Sequence, residues 1–465
     1  MPKFGTSGLR GLAVELTDEL VAQHVRAFLS VVPPAKQVLI GRDLRDSSPR
    51  LVQAVGLGAA QAGIRPVDCG ALPTPALALA AEQAGSPAVM VTGSHIPADR
   101  NGLKFYRADG EITKDDEARI LAALSPPAGV ATVQWSADPG ALTAFRARYA
   151  RVFANTLTGL RVGVYQHSSV ARDLMLDLLQ DAGATPIPLG RSNTFIPVDT
   201  EAVDPATQAA LKRWASDHAV DAIISTDGDA DRPLLADETG RLVPGDVMGP
   251  LAAQYLGAEA AVTPVSSNTV LEASGAVTQV ARCRIGSPYV IAEMARLRAA
   301  GQARVVGYEA NGGFLLGYAA DIDSATLAPL MTRDFALPLL SVLALAAAQG
   351  QSLSNLVATL PPRFTASDRL QNVPAEASQA LVTRLLNGNY DLFPKHLTDV
   401  AQVDTTDGAR LTFADQNIVH IRPSGNAPEL RCYVEASTPE TAQTILNEML
   451  QRLHKAINAQ PEPRR

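Results

Sequence analysis

Short apolar runs alternate with helix-spaced segments along most of the chain. Val38, Leu39 and Ile40 predict a strand, and residues 51–62 predict a helix beyond a polar loop. Residues 88–91 predict a second strand. Residues 160–165 predict another, followed by an amphipathic helix over 171–182. Residues 222–224 and 303–307 are further strand candidates. Strands and helices in alternation imply α/β units with parallel or mixed sheets. The last hundred residues follow a different pattern. Residues 410–414 and 418–422 read as paired strands, and 430–435 as one more. A helix then opens with Ser437 as its cap, Pro439 in its first turn and Glu440 completing a capping box. Ile445, Met449, Leu453 and Ile457 give it one apolar face. Strands followed by a helix imply a separate α+β domain, and residues 459–465 read as a frayed tail.

Turn-rich stretches at 125–129, at Pro244-Gly245 and at Pro361-Pro362 divide the chain into segments 1–150, 151–245, 246–360 and 361–465. Four units suit a length of 465 residues, which argues against a single compact domain. No identity-level repeat relates them, although the first three could still repeat in structure. A hydrophobic content of 46% excludes wholesale disorder. The net charge of −7 argues against a nucleic-acid partner, while a small anionic substrate stays admissible. Cys69, Cys283 and Cys432 lie far apart, so a zinc or disulfide framework is not expected and they read as core residues. The first residues lack the apolar core of a signal peptide. The longest apolar stretch, 335–348, is interrupted by Pro338 and is too short to cross a bilayer. The expectation is a cytoplasmic protein with no membrane partner.

Four loops carry the chemistry. Asp227-Gly228-Asp229-Ala230-Asp231-Arg232 follows an apolar run, so it leaves the carboxyl end of a strand, where open α/β sheets place ligands. Three converging carboxylates repel one another, and all-oxygen ligands suit Mg²⁺ or Ca²⁺. An EF-hand loop is disfavoured because Arg232 stands where that loop needs glycine. A plain acidic turn is the other reading. Thr92-Gly93-Ser94-His95-Ile96-Pro97 also follows a strand, and Ser94 beside His95 offers a nucleophile or an ordinary turn. Asn101-Gly102-Leu103-Lys104 brings a cation near that strand end. Arg422-Pro423-Ser424-Gly425-Asn426-Ala427-Pro428 offers a guanidinium, a hydroxyl and an amide, an inventory for a dianionic phosphate or for a structural hairpin. Glu309 and Asn311, in a glycine-rich turn, suit vicinal sugar hydroxyls or, taken singly, a plain turn, which is the favoured reading of that loop alone. Nucleotide-binding motifs and a hydrolase nucleophile elbow are missing.

In order and content these loops resemble the α-D-phosphohexomutase family. Phe4-Gly5-Thr6-Ser7-Gly8-Leu9-Arg10-Gly11, Gly41-Arg42-Asp43-Leu44-Arg45 and Pro73-Thr74-Pro75 resemble its other signatures. The resemblance runs from Phe4 to about Glu435. It implies three similar mixed-sheet α/β domains plus a C-terminal α+β domain around a central cleft. It implies a phosphoryl carrier at Ser94 and a Mg²⁺ held by Asp227, Asp229, Asp231 and a phosphate oxygen on Ser94. Arg10, His95, Lys104 and Arg232 would surround the reacting phosphate. Glu309 and Asn311 would contact the sugar, and Arg422, Ser424, Gly425 and Asn426 the phosphate that is not reacting. The expected reaction moves a phosphoryl group between the 6- and 1-positions of a hexose phosphate, mannose first, with a hexose 1,6-bisphosphate as activator, in a monomer or homodimer. A phosphoglucomutase or phosphoglucosamine mutase is the nearest alternative. A metal-dependent phosphatase and a sugar-phosphate-binding protein are the more distant ones. The chain departs from the family pattern where Gly93 and Ile96 replace a more common alanine and asparagine, and where Asn426 replaces threonine. Its sugar loop lacks the G-E-x-S-G-H pattern. Residues 284–289 resemble a further specificity segment, also with unusual content.

Overall fold

The computed structural model describes residues 2–5, 8–126, 128–129, 131–323, 325–397, 399–424 and 428–458. The predicted tail at 459–465 therefore lies outside the described residues. Four main sheets follow one another along the chain. The first three share one topology. In the first, Gln37–Arg42 lies between Arg65–Ala71 and Ala88–Val91, all parallel, and Arg100–Arg107 adds antiparallel to the third strand. Arg161–His167, Thr185–Arg191, Ala222–Thr226 and Pro233–Asp237 repeat that order. Ala260–Pro264, Gln279–Cys283, Val305–Tyr308 and Phe314–Leu316 repeat it again.

Strands Ala88–Val91, Ala222–Thr226, Ala260–Pro264 and Val305–Tyr308 are buried at every position. Helices cover both sheet faces, so such strands carry continuous apolar runs, which mark three of these four in the sequence; Ala260–Pro264 is not among the predicted strands. The third and fourth strands of each repeat are joined by a short loop. These three loops are residues 92–99, 227–232 and 309–313, the serine, aspartate and sugar loops. The three candidate loops therefore sit at one equivalent place used three times.

The fourth sheet is antiparallel, in the order Phe364–Gln371, Glu429–Ala436, Ile418–Pro423, Ala409–Phe413, Val400–Asp404. Its predicted strand pair holds, with Ala409 opposite Ile421 and Thr412 opposite Ile418. The helix Pro439–Asn458 lies over it, with Ile445, Met449 and Leu453 in the core. The cap is Thr438, whose Oγ1 accepts from Thr441 N at 3.1 Å, and not Ser437. Proline at the first helical position places the cap immediately before it.

One apolar core runs through the first three sheets, from Leu77 and Met90 through Leu251 to Phe335. The fourth unit has its own core around Val419, Cys432 and Leu453. Residues 335–348 are not broken as expected. The helix Ala336–Ala348 passes through Pro338, whose missing N–H costs nothing in a first turn. The three cysteines are buried and free. Among the described residues no helix is long and apolar enough to cross a membrane.

Candidate active site

The serine loop is shaped by a buried ion pair. Asp43 and Arg45 are each about 1% exposed. Asp43 accepts from Ser48 Oγ at 2.5 Å, Thr92 Oγ1 at 2.8 Å and Gly93 N at 3.2 Å. Arg45 uses all five of its N–H donors. Nε donates to Asp43 Oδ2 at 3.1 Å. Nη1 donates to the carbonyls of Pro97 at 2.6 Å and Arg100 at 3.0 Å, and Nη2 to those of Ser94 at 2.9 Å and Ile96 at 2.6 Å. The guanidinium also stacks 4.0 Å from the Phe195 ring centroid. This clamp holds Ser94 at φ +53°, an uncommon backbone for a side-chain-bearing residue.

Ser94 is completely buried. The sequence suggests an exposed loop serine, but the loop is enclosed where the first two sheets meet. Its Oγ donates to Asp227 Oδ2 at 2.5 Å and lies 3.2 Å from His95 Nδ1. Burial, aided by Arg232 and Arg10, holds the His95 pKa well below its usual value, so the ring is neutral at pH 7.

Asp227, Asp229 and Asp231 converge as their spacing implies. One carboxylate oxygen from each lies within 4.8 Å of the others, and all three residues are fully buried. Lys104 Nζ donates to Asp229 Oδ2 at 2.6 Å and also to Asp231 Oδ2. Thr74 Oγ1 donates to Asp229 Oδ2 at 2.5 Å, and Thr74 N to the Asp229 carbonyl at 2.9 Å. Arg333 Nη2 pairs with Asp231 Oδ2 at 2.8 Å. Oδ1 of Asp229 and Oδ1 of Asp231 are left buried without a hydrogen bond. Burial and the neighbouring carboxylates push the Asp227 carboxyl well above its ordinary value. Burial would also raise Asp231, but Arg333, Lys104 and Arg232 outweigh it and hold that carboxyl low. Two unsatisfied buried carboxylate oxygens in an all-oxygen cluster fit a hard divalent cation, so the triad can hold a metal.

Arg10 and Arg232 complete the positive side of the cluster. Burial and the proximity of Arg232 lower the Arg10 pKa to about 10. In the sugar loop Glu309 pairs with Arg333 Nη1 at 3.3 Å. Asn311 Oδ1 accepts from Gly313 N at 3.0 Å, which spends the amide oxygen inside the turn. Arg422 stands apart. It is directly opposite Arg431 across two strands and pairs with Asp407 Oδ2 at 3.4 Å. Ser424 N donates to the Glu429 carbonyl at 2.8 Å. Gly425 and Asn426 lie outside the described residues. Thr74 and Arg45 stood in quoted motifs without a role, and Arg333 in Thr332-Arg333-Asp334 carried no local signal at all.

Comparison with known proteins matches this arrangement to one family over nearly the whole chain. The domains described as phosphoglucomutase/phosphomannomutase alpha/beta/alpha domains I, II and III match residues 1–126, 142–240 and 244–364, and the C-terminal domain of that family matches 364–452. The chain therefore belongs to the phosphoglucomutase/phosphomannomutase family and is a phosphohexomutase. A phosphomannomutase of Sinorhizobium fredii is 47% identical, with 98% of this chain and 99% of that protein covered. One from Salmonella muenchen is 42% identical over 98% and 96%. The solved structure of a putative phosphomannomutase from Thermus thermophilus, 23% identical, superposes with a TM-score of 0.77 over 97% of this chain and 99% of that one.

Proposed function

We propose that the chain interconverts mannose 6-phosphate and mannose 1-phosphate, with Ser94 as the phosphoryl carrier. The reading is carried by the Ser94 hydroxyl, held between Asp227 Oδ2 and His95 Nδ1. Mannose as the sugar rests on the phosphomannomutase relatives at 47% and 42% identity. In the first half-reaction the bond from phosphorus to Ser94 Oγ breaks, and a bond to the free sugar hydroxyl forms. The hydroxyl proton passes to neutral His95. Lys104 Nζ is paired with Asp229 and Asp231, which places it to offset their charge beside the reacting group. Arg10 and Arg232 offset charge on the moving phosphoryl group. The bisphosphorylated sugar then turns over and returns its other phosphoryl group to Ser94.

Asp227, Asp229 and Asp231 would hold Mg²⁺, with an oxygen carried by Ser94 as a further ligand. When bound, the ion neutralises phosphate charge. Glu309 accepts from sugar hydroxyls, and the amide nitrogen of Asn311 donates to them. Arg422, Ser424, Gly425 and Asn426 hold the phosphate that is not reacting. A hexose 1,6-bisphosphate keeps Ser94 charged. One main sheet lies in each of the segments 1–150, 151–245, 246–360 and 361–465, which supports those segments as the working domains.

The test is Ser94→Ala. Intact mass of the wild type should include a species heavier by one phosphoryl group, missing in the variant. A coupled assay with mannose, glucose and glucosamine phosphates should show turnover fastest for mannose and abolished in the variant. Full activity in Ser94→Ala refutes the carrier, and faster glucose turnover refutes the substrate assignment.

A further inference from the structure

Arg333 lies on the strand Leu330–Asp334, at the edge of the third sheet, and is 2% exposed. Its fork divides between two carboxylates from different loops. Nη2 takes Asp231 Oδ2 at 2.8 Å, and Nη1 takes Glu309 Oε2 at 3.3 Å. Asp231 belongs to the aspartate loop of the second sheet and Glu309 to the sugar loop of the third. With Lys104, Arg333 occupies Oδ2 of Asp231 and so fixes the carboxylate rotation that leaves Oδ1 without a hydrogen bond, 3.7 Å from Arg232 Nε. The sugar loop is built around the same side chain. A Cβ at Gly313 would lie 2.8 Å from Cγ and Cδ of Arg333.

We propose that Arg333 is a positioning residue of the mutase reaction, tying the cation-facing oxygen of Asp231 to the sugar-facing carboxylate of Glu309. The inference rests on the metal and sugar roles assigned above. A planar guanidinium holds two carboxylates at a fixed separation and angle, whereas an ammonium is a point charge that serves one of them well. Partners that orient a ligating carboxylate are typically worth ten- to hundredfold in metal affinity. Removing Arg333 loosens Asp231 and Glu309 together, so cation affinity and sugar recognition change together.

The experiment uses Mn²⁺ as the probe, its free concentration followed by electron paramagnetic resonance, beside the KM for mannose 1-phosphate and the melting temperature. Arg333→Met should raise the Mn²⁺ Kd ten- to hundredfold and raise KM as well. Arg333→Lys should restore at most one of the two. A purely structural role predicts a lower melting temperature with Kd and KM unmoved, and that result in Arg333→Met overturns the proposal. If Arg333→Met does not fold, wild-type Kd and KM together in Arg333→Lys overturn it. Asp229→Asn separates the underlying reading. If it binds Mn²⁺ as the wild type does, the metal site itself is misassigned and the proposal falls with it. If binding is lost in Asp229→Asn but intact in Arg333→Met, only the role of Arg333 falls.

Discussion

The family pattern that this loop resembles has alanine where Gly93 stands, yet Gly93→Ala should be damaging here. Gly93 does not have a positive φ, so backbone strain does not enter. The obstacle is steric. A Cβ at Gly93 would lie 2.6 Å from Arg45 Cζ, 2.7 Å from Nε and 2.8 Å from Nη2. Ordinary contact lies near 3.5–4.0 Å, so the fork must retreat by about 1 Å. The end of an arginine is usually easy to move. This one is fully buried, donates five hydrogen bonds of 2.6–3.1 Å and stacks on Phe195, so a shift of about 1 Å takes several of them out of range. Overpacking costs roughly 1–3 kcal/mol, and a strained charge-assisted bond adds to it. The expected destabilisation is about 2–4 kcal/mol, a fall of roughly 5–10 °C in the first unfolding transition. The Ser94 carbonyl hangs on Nη2, so the proposed carrier hydroxyl moves with the fork, and a misplacement of about 1 Å costs roughly a hundredfold in kcat. The assays are calorimetry and the coupled mutase rate, with Gly93→Ala repeated in an Arg45→Lys background. The shorter side chain removes the clash, so the two substitutions should be strongly non-additive. Wild-type melting and kcat in Gly93→Ala would refute the clamp.

Arg422→Ala should raise KM for the 1-phosphate and 6-phosphate substrates by similar factors, about ten- to hundredfold for a bond worth roughly 1.5–3 kcal/mol. An unshifted KM in both directions removes Arg422 from the phosphate site, whatever happens to the melting temperature. The buried His167 ring has Nε2 2.9 Å from the Thr226 carbonyl, and burial lowers its pKa from 6.5 to about 4. A lowered pKa means the fold disfavours the imidazolium. Its stability contribution is therefore fully present above pH 6.5 and is lost as pH falls toward 4, by about 2 kcal/mol at pH 5. Melting temperature against pH should be flatter for His167→Asn than for the wild type between pH 7 and 5, and parallel curves would disprove the linkage.

Much of this protein is local and so was legible in its sequence. Fully covered strands need continuous apolar runs, which marked Ala88–Val91 and Ala222–Thr226. A helix with one buried face needs its four-residue spacing, which marked Ile445, Met449 and Leu453. Three alternating aspartates at a strand end declare a cation-ready loop without reference to the rest of the chain. Other features depend on residues brought together from far along the chain. The equivalence of the serine, aspartate and sugar loops is a matter of sheet order, to which unlike side chains give no clue. Thr74 meets Asp229 across 155 positions, and Lys104 meets Asp231 across 127. The fork of Arg45 reads backbone carbonyls, which every residue possesses, so its partners leave no trace in residue type. Arg333 is one arginine among many until the second and third sheets close on each other. Only then do Asp231 and Glu309 stand at the spacing its two nitrogens span.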